Sequence, residues 1–231
     1  MKHKLKSAIT RYFPERTFEE VAVHARVLLY TTIPNAVLPH RKAKLRQAQR
    51  LRSLKLNIGC GPDNPPDWFG IDFLSREADL RCDIRLGIPL QAESCRCIFA
   101  EHVFEHFDRR SLRFVLRECY RVLEPGGSIR LVVPDLGAYI RAYVENNGVF
   151  SSLAYTTQGH LSAPELLNDV FYVTTHRWIH DFESLSREMA SAGFAEIERS
   201  DQNCSRFEHF TIDNPENHRK AESLYVEAVK H

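Results

Sequence analysis

The sequence predicts an α/β fold, a largely parallel sheet with helices on its faces, on three observations. Leu54 to Ile58 is an alternating apolar run that breaks into Gly59-Cys60-Gly61, the order of a strand entering a tight turn. Further short apolar runs follow at Trp68 to Phe73, Ala78 to Ile84, Arg96 to Glu101 and Ser128 to Val133. Between the last two, Ser111 to Leu123 carries Leu112, Val115, Leu116, Cys119, Val122 and Leu123 at the i, i+3, i+4 spacing of a helix facing a core. Strands separated by helical segments pair in parallel.

The first strand and its turn carry the earliest functional signal. Glycine lets a backbone approach a ligand at φ values closed to other residues, and a carboxylate past the next strand, here Asp72, can accept hydrogen bonds from both hydroxyls of a ribose. An adenosine-containing ligand is implied. The turn continues as Pro62-Asp63-Asn64-Pro65-Pro66, with neither the lysine of a P-loop nor the third glycine of a dinucleotide fingerprint. Carboxylates and prolines make a poor pyrophosphate cradle. Gly59 and Asp72 stand only 13 positions apart, too few for a full crossover helix, so the first crossover is expected to be contracted.

The third run ends near Asp83 and the fourth leads into His102-Val103-Phe104-Glu105-His106. Glu124-Pro125-Gly126-Gly127 stops the helix before the fifth strand. Taken together, LNIGCG, the EH-containing loop and a helix ending in PGG resemble the class I S-adenosylmethionine-dependent methyltransferases, and particularly their type 11 branch, which includes enzymes of ubiquinone biosynthesis. The resemblance spans about residues 54 to 213. It implies a Rossmann-like, seven-stranded sheet with flanking helices and a closing antiparallel pair, at Ala195 to Ser200 and Arg206 to Ile212. It also implies S-adenosyl-L-methionine as cofactor, held by Asn57, Gly59, Cys60, Gly61, Asp72 and Asp83, the last receiving the adenine amino group, with His102 beside the adenosine or methionine portion.

Methyl transfer from a sulfonium expels a neutral thioether, so alignment and water exclusion carry most of the catalysis, with a base added when the acceptor is a hydroxyl. Ligands of open α/β sheets sit beyond the carboxyl ends of the strands, which makes His102 and His106 candidate bases. Residues 146 to 181 form a polar, aromatic-rich insertion after the helix Leu136 to Glu145, where this family commonly builds its acceptor pocket, and add His176 and His180 as candidates. Tyr155 and His160 lie in the same insertion, and Asp135 is expected to cap the preceding helix. His102 to His106 also matches the H-x-x-E-H of some metalloproteases, but here it follows a strand in a methyltransferase-like frame. Some methyltransferases bind magnesium through E-x-x-E-H at this loop. His102 replaces the first glutamate, a hard cation prefers oxygen ligands, and no metal is expected.

Composition limits the alternatives. The 231 residues, 43% hydrophobic, suffice for one α/β domain with additions. No apolar run approaches the roughly 20 residues of a membrane span, and no signal-peptide h-region is evident. The six cysteines contain no C-x-x-C pair, which suits reduced core thiols and a cytoplasmic location. A net charge of +1 conceals a balance of +10 over residues 1 to 55 against −9 for the remainder.

Residues 1 to 53 therefore read as a basic helical extension, with candidate helices at Phe18 to Tyr30 and Arg41 to Arg52. The extension either docks on its own acidic domain or touches an anionic surface. Residues 54 to 213 form the methyltransferase-like domain, and 214 to 231 a C-terminal helix. The expected activity is methyl transfer to an oxygen of a small-molecule or sugar acceptor. The alternative is a cofactor-binding regulatory or scaffold protein, and nucleic acid is an improbable partner because no N-P-P-Y-type motif follows the fourth strand.

Overall fold

A computed structural model describes residues 38–145, 162–172 and 175–231, together with residues 25 and 29. The candidate helix Phe18 to Tyr30, Tyr155 and His160 lie outside the described residues, apart from residues 25 and 29. Seven strands form one sheet in the order β3-β2-β1-β4-β5-β7-β6. These are β1 (Leu54–Ile58), β2 (Phe69–Asp72), β3 (Leu80–Arg81), β4 (Cys95–Glu101), β5 (Leu123–Pro134), β6 (Ala195–Ser200) and β7 (Ser223–Val229). The first five run parallel, and β7 enters antiparallel between β5 and β6. The described helices are α1 (Pro39–Ala48), α2 (Arg109–Val122), α3 (Leu136–Glu145), α4 (Ala163–Tyr172), α5 (Phe182–Ser191) and α6 (Asn217–Glu222).

The sheet is buried on both faces, which is why its central strands read as apolar runs. Leu56, Ile58, Ile98, Ala100, Ile129 and Leu131 join the α2 stripe of Leu112, Val115, Leu116 and Cys119 in the main core. Cys97, Phe99, Val132 and Tyr225 point to the opposite face, where Trp68 and Phe210 cover them. Asp108 caps α2 by accepting from the Ser111 amide at 2.8 Å, and Asp181 with Ser184 forms a capping box on α5. The first crossover is contracted as expected: β1 pairs directly with β2, and no helix lies between them.

Two expectations need correction. Residues 214 to 231 are not a C-terminal helix: helix stops at Glu222, and β7 supplies the antiparallel strand assigned by sequence to Arg206 to Ile212. In β7, Leu224, Val226 and Ala228 alternate into the main core. Glu227, a polar residue on the other face, disguised that period. It is fully buried opposite Arg130 of β5 and pairs with it. Residues 206–212 instead form a loop that lays Phe210 onto the second face, with the Phe210 amide donating to the Phe207 carbonyl.

Helix α1 docks on the domain: Ala48 is buried and Leu45 packs against the main core. Arg52 reaches Gln91. None of the described helices is long and apolar enough to cross a membrane.

Candidate active site

Strand order reverses at β1, whose neighbours β2 and β4 lead to opposite sides of the sheet. The crevice beyond the carboxyl ends of β1 and β4 is where an open α/β sheet binds its ligand. After β1, the chain turns through Gly59 at φ +72° and Gly61 at φ +59°. The Asp72 carboxylate at the end of β2 closes this turn by accepting from the Gly61 amide at 3.1 Å, while its other oxygen accepts from Leu74 and Ser75 at 2.6 and 2.7 Å. Asn57 donates to Asn64 at 2.9 Å and Asn64 donates to the Trp68 carbonyl at 2.6 Å, bracing the short crossover. Burial raises the Cys60 thiol to about 11, with Asp72 and Asp79 adding to the shift, so it is protonated at neutral pH.

The two glycines differ in what surrounds them. A Cβ on Gly61 would meet nothing within 4 Å, so the turn leaves open space above its backbone. On Gly59 it would stand 2.2 Å from Val103 Cγ2. Close backbone packing there brings the glycine turn against the loop that follows β4. The residues present thus suit an adenosyl ligand: Gly61 offers an approachable backbone, and Asp72 a carboxylate held in place by backbone donors. Asp83 is less free, because both its oxygens bind the Arg85 guanidinium at 2.7 to 3.1 Å as it caps a short 3-10 turn.

The loop after β4 begins at His102, whose φ of +52° is unusual for a residue with a side chain. It brings four titratable side chains together. Glu105 is 1% exposed. Its Oε1 lies 3.3 Å from His102 Nδ1, 3.9 Å from His106 Nε2 and 3.8 Å from His176 Nε2. The His102 approach is off the line a hydrogen bond needs, so both Glu105 oxygens lack a donor. Burial pushes this carboxyl up, but the facing His102 and His106 outweigh it and hold it below its ordinary range. His102 Nε2 bonds Ser223 Oγ at 2.9 Å, tying the loop to the first residue of β7.

His176 arrives from far along the chain because the Arg177 and Trp178 amides both donate to the Glu105 carbonyl, at 2.7 and 3.1 Å. Its Nδ1 bonds the Val170 carbonyl at 2.7 Å, which requires that nitrogen to donate and leaves the Nε2 lone pair facing Glu105. Burial lowers His176 to about 4, so it is neutral at pH 7. His106, the most open of the four at 40% side-chain exposure, has Nδ1 3.5 Å from the Thr175 carbonyl and 3.4 Å from Thr175 Oγ1. Thr175 itself sits at φ +60°.

Of the four histidines singled out by sequence, His102, His106 and His176 converge and His180 does not. His180 is buried, bonds Ser184 at 3.0 Å and pairs along the backbone with Asp135. Asp135 accepts from the Gly137 amide at 2.9 Å, as expected of a cap, and binds Arg199 at 2.6 Å. The residue missing from the sequence-based site is Glu105, around which the others gather. Its signals were its place as the one acid in H-x-x-E-H and as the second glutamate of E-x-x-E-H. Glu101, at the end of β4, was also missed; burial raises its carboxyl, and one of its oxygens lacks a partner.

Residues 72–131 match a family described as a methyltransferase domain. No curated protein matches the chain. Among solved structures, a SAM-dependent methyltransferase from Archaeoglobus fulgidus is 17% identical over 82% of this chain and 92% of its own, with a TM-score of 0.48. A SAM-dependent methyltransferase of Thermotoga maritima, described as a possible histamine N-methyltransferase, is 18% identical over the whole of both chains, with a TM-score of 0.49. Phosphoethanolamine N-methyltransferase 2 of Haemonchus contortus, solved with S-adenosyl-L-methionine, is 15% identical over 84% of this chain and 52% of its own, with a TM-score of 0.46. The family match runs from Asp72 through the post-β4 loop and α2 into β5, so this stretch of the chain is similar to a methyltransferase domain.

Proposed function

We propose that this enzyme methylates an oxygen of a small-molecule or sugar acceptor, with the glycine turn and Asp72 holding the cofactor and the His102 to His106 loop handling the acceptor. One observation carries this reading. The contact of Gly59 with Val103 sets the cofactor turn directly against the loop that bears the Glu105 cluster.

When bound, S-adenosylmethionine supplies an electrophilic methyl group and a neutral thioether leaving group. A hydroxyl acceptor must lose its proton as the new bond forms, and a positioned base serves that step when it lies within about 2.6 to 3.2 Å or one water away. His106 is the imidazole best placed for this, being the most exposed of the cluster and 3.9 Å from the buried Glu105 carboxylate. An acceptor atom must also stand about 3 to 3.5 Å from the methyl group. Alignment of that kind suits the loop, since the paired amides of Arg177 and Trp178 and the His102–Ser223 bond fix it at both ends.

The six free cysteines support a reducing, cytoplasmic setting. The type 11 branch is supported by the EH loop and the PGG stop. Incubation with isotopically labelled S-adenosylmethionine and a panel of hydroxylated small molecules and sugars tests the proposal. It expects labelled ether products whose formation falls at least 10-fold in His106→Ala. Label appearing only on nitrogen or carbon would contradict the oxygen assignment, and cofactor binding with no transfer to any acceptor would favour the regulatory alternative.

A further inference from the structure

We propose that Glu105, His106 and His176 form a binding site for one divalent transition-metal ion of the zinc class, with His102 supporting the carboxylate ligand. The proposal deepens the acceptor-handling role given above to this loop, but ion binding itself does not depend on methyl transfer.

The first ground is an unmet need. Glu105 is 1% exposed and neither of its oxygens receives a hydrogen bond. Buried carboxylates are ordinarily paired, hydrogen-bonded or bound to metal. The imidazoles around it do not satisfy it: His102 Nδ1, at 3.3 Å, approaches off the line a hydrogen bond needs, and His176 and His106, at 3.8 and 3.9 Å, exceed hydrogen-bond reach.

Those same separations suit a shared ion. One ligand atom from each of Glu105, His106 and His176 lies within 4.8 Å of the others. Two ligands about 2.0 to 2.1 Å from a tetrahedral zinc stand roughly 3.3 Å apart, so a small inward shift of the side chains brings all three into coordination. His106, partly exposed, supplies the movable member and an entry path.

The nitrogens facing away from the cluster are arranged as ligands require. Metal-bound histidines almost always donate their other N–H to a carbonyl or carboxylate, which fixes the tautomer and aims the ligand nitrogen. His176 does so to the Val170 carbonyl, and His106 is oriented in the same sense, more loosely, by Thr175. His102 stands on the carboxylate side at 3.3 Å and is itself held by Ser223. Glutamate ligands are commonly oriented by such partners.

Ligand chemistry selects the ion. Two imidazoles and one carboxylate suit zinc, iron, cobalt or nickel, whereas magnesium and calcium favour all-oxygen sets. The expectation of no metal considered only the 102 to 106 loop, where His102 displaces an oxygen ligand. The structure adds His176, and with it the balance moves from a poor hard-cation site to a good borderline one. Three protein ligands leave at least one position for water or an acceptor oxygen, whose proton an ion of this class makes easier to remove. The ion would thereby take over the role of a free His106.

The test uses the full chain without an affinity tag, stripped with chelator and dialysed against metal-free buffer. Titration with Zn²⁺ should show one site per chain and raise the melting temperature. Co²⁺ should give the visible absorption of a four- or five-coordinate site and be displaced by Zn²⁺, and Mg²⁺ at the same concentrations should do neither. His176→Ala and Glu105→Gln should each weaken Zn²⁺ binding at least 100-fold, while His231→Ala, an exposed histidine, should leave it unchanged. Circular dichroism and S-adenosylhomocysteine binding confirm that the variants remain folded. If Glu105→Gln fails to fold, His176→Ala with His106→Ala decides the matter. The proposal is overturned if the stripped wild type binds S-adenosylhomocysteine yet takes up no Zn²⁺, or if Zn²⁺ binds equally well in His176→Ala. Failure to bind S-adenosylhomocysteine while Zn²⁺ binds would instead overturn the transfer reading alone.

Discussion

Asp72 Oδ2 accepts a hydrogen bond from the Gly61 amide at 3.1 Å, so the carboxylate at the end of β2 shapes the glycine turn at the end of β1. Its side chain holds the loop, and under the proposed function it would also receive the ribose hydroxyls. Asp72→Ala should weaken S-adenosylhomocysteine binding by about 1.5 to 3 kcal/mol, the range for hydrogen bonds to a charged group, or roughly 10- to 150-fold in Kd. Isothermal calorimetry on the variant measures this, and an unchanged affinity would remove Asp72 from the cofactor site.

The two glycines of the turn should separate folding from binding. In Gly59→Ala the new methyl meets Val103 at φ +72°, and the strain should cost on the order of 1 to 3 kcal/mol of stability. In Gly61→Ala the methyl enters open space, so the cost is limited to about 1 to 2 kcal/mol for the left-handed backbone. That methyl then occupies the space proposed for the cofactor. Gly61→Ala should lose cofactor affinity while folded, and Gly59→Ala should show the larger fall in melting temperature. The opposite ranking in a thermal melt would contradict this division of roles.

Much of this framework was legible in the sequence because it rests on local signals. The run Leu54 to Ile58 alternates because Leu54, Leu56 and Ile58 face the main core, and 13 positions between Gly59 and Asp72 leave no room for a helix. The α2 stripe has one face and one period. What escaped depends on pairings distant in sequence. Glu227 looks like a polar helix position until β7 sets it opposite Arg130. Glu105 looks like an ordinary loop acid until the amides of Arg177 and Trp178 bind its carbonyl and draw His176 to its carboxylate. His180, only four positions away, is turned instead toward Ser184, a difference that no spacing rule conveys.

Arg130 binds Asp213 through Nε at 2.8 Å and Glu227 through Nη1 at 2.5 Å, with all three side chains buried. Arg130→Met should strand two carboxylates in the sheet and cost about 3 to 5 kcal/mol, a fall in melting temperature of roughly 10 °C. Calorimetric melting of the variant tests this. A change under about 2 °C would show that water reaches the acids.

Acid should act partly through Glu188. The Arg113 and Arg109 guanidinium groups hold its carboxyl down at about 2 from an ordinary 4.5, against the opposing effect of burial. Because its folded value is depressed, its contribution to stability is fully present above pH 4.5 and is lost as pH falls towards 2. Both arginines are about half exposed, so solvent screens the pair and keeps the energy modest. Glu188→Gln should flatten the melting-temperature profile between pH 4.5 and 2. An identical acid limb in wild type and variant would exclude this pair as a source of acid sensitivity.

The most direct measurement is calorimetric titration of the full-length wild type with S-adenosylhomocysteine, followed by a crystal structure of the complex. The expected result is one molecule per chain, its ribose hydroxyls on Asp72, its backbone contacts at Gly59 to Gly61, and its sulfur directed toward the His102 to His106 loop. Absence of binding, or a ligand seated away from the β1 and β4 ends of the sheet, would contradict the assignment of this crevice as the site of methyl transfer.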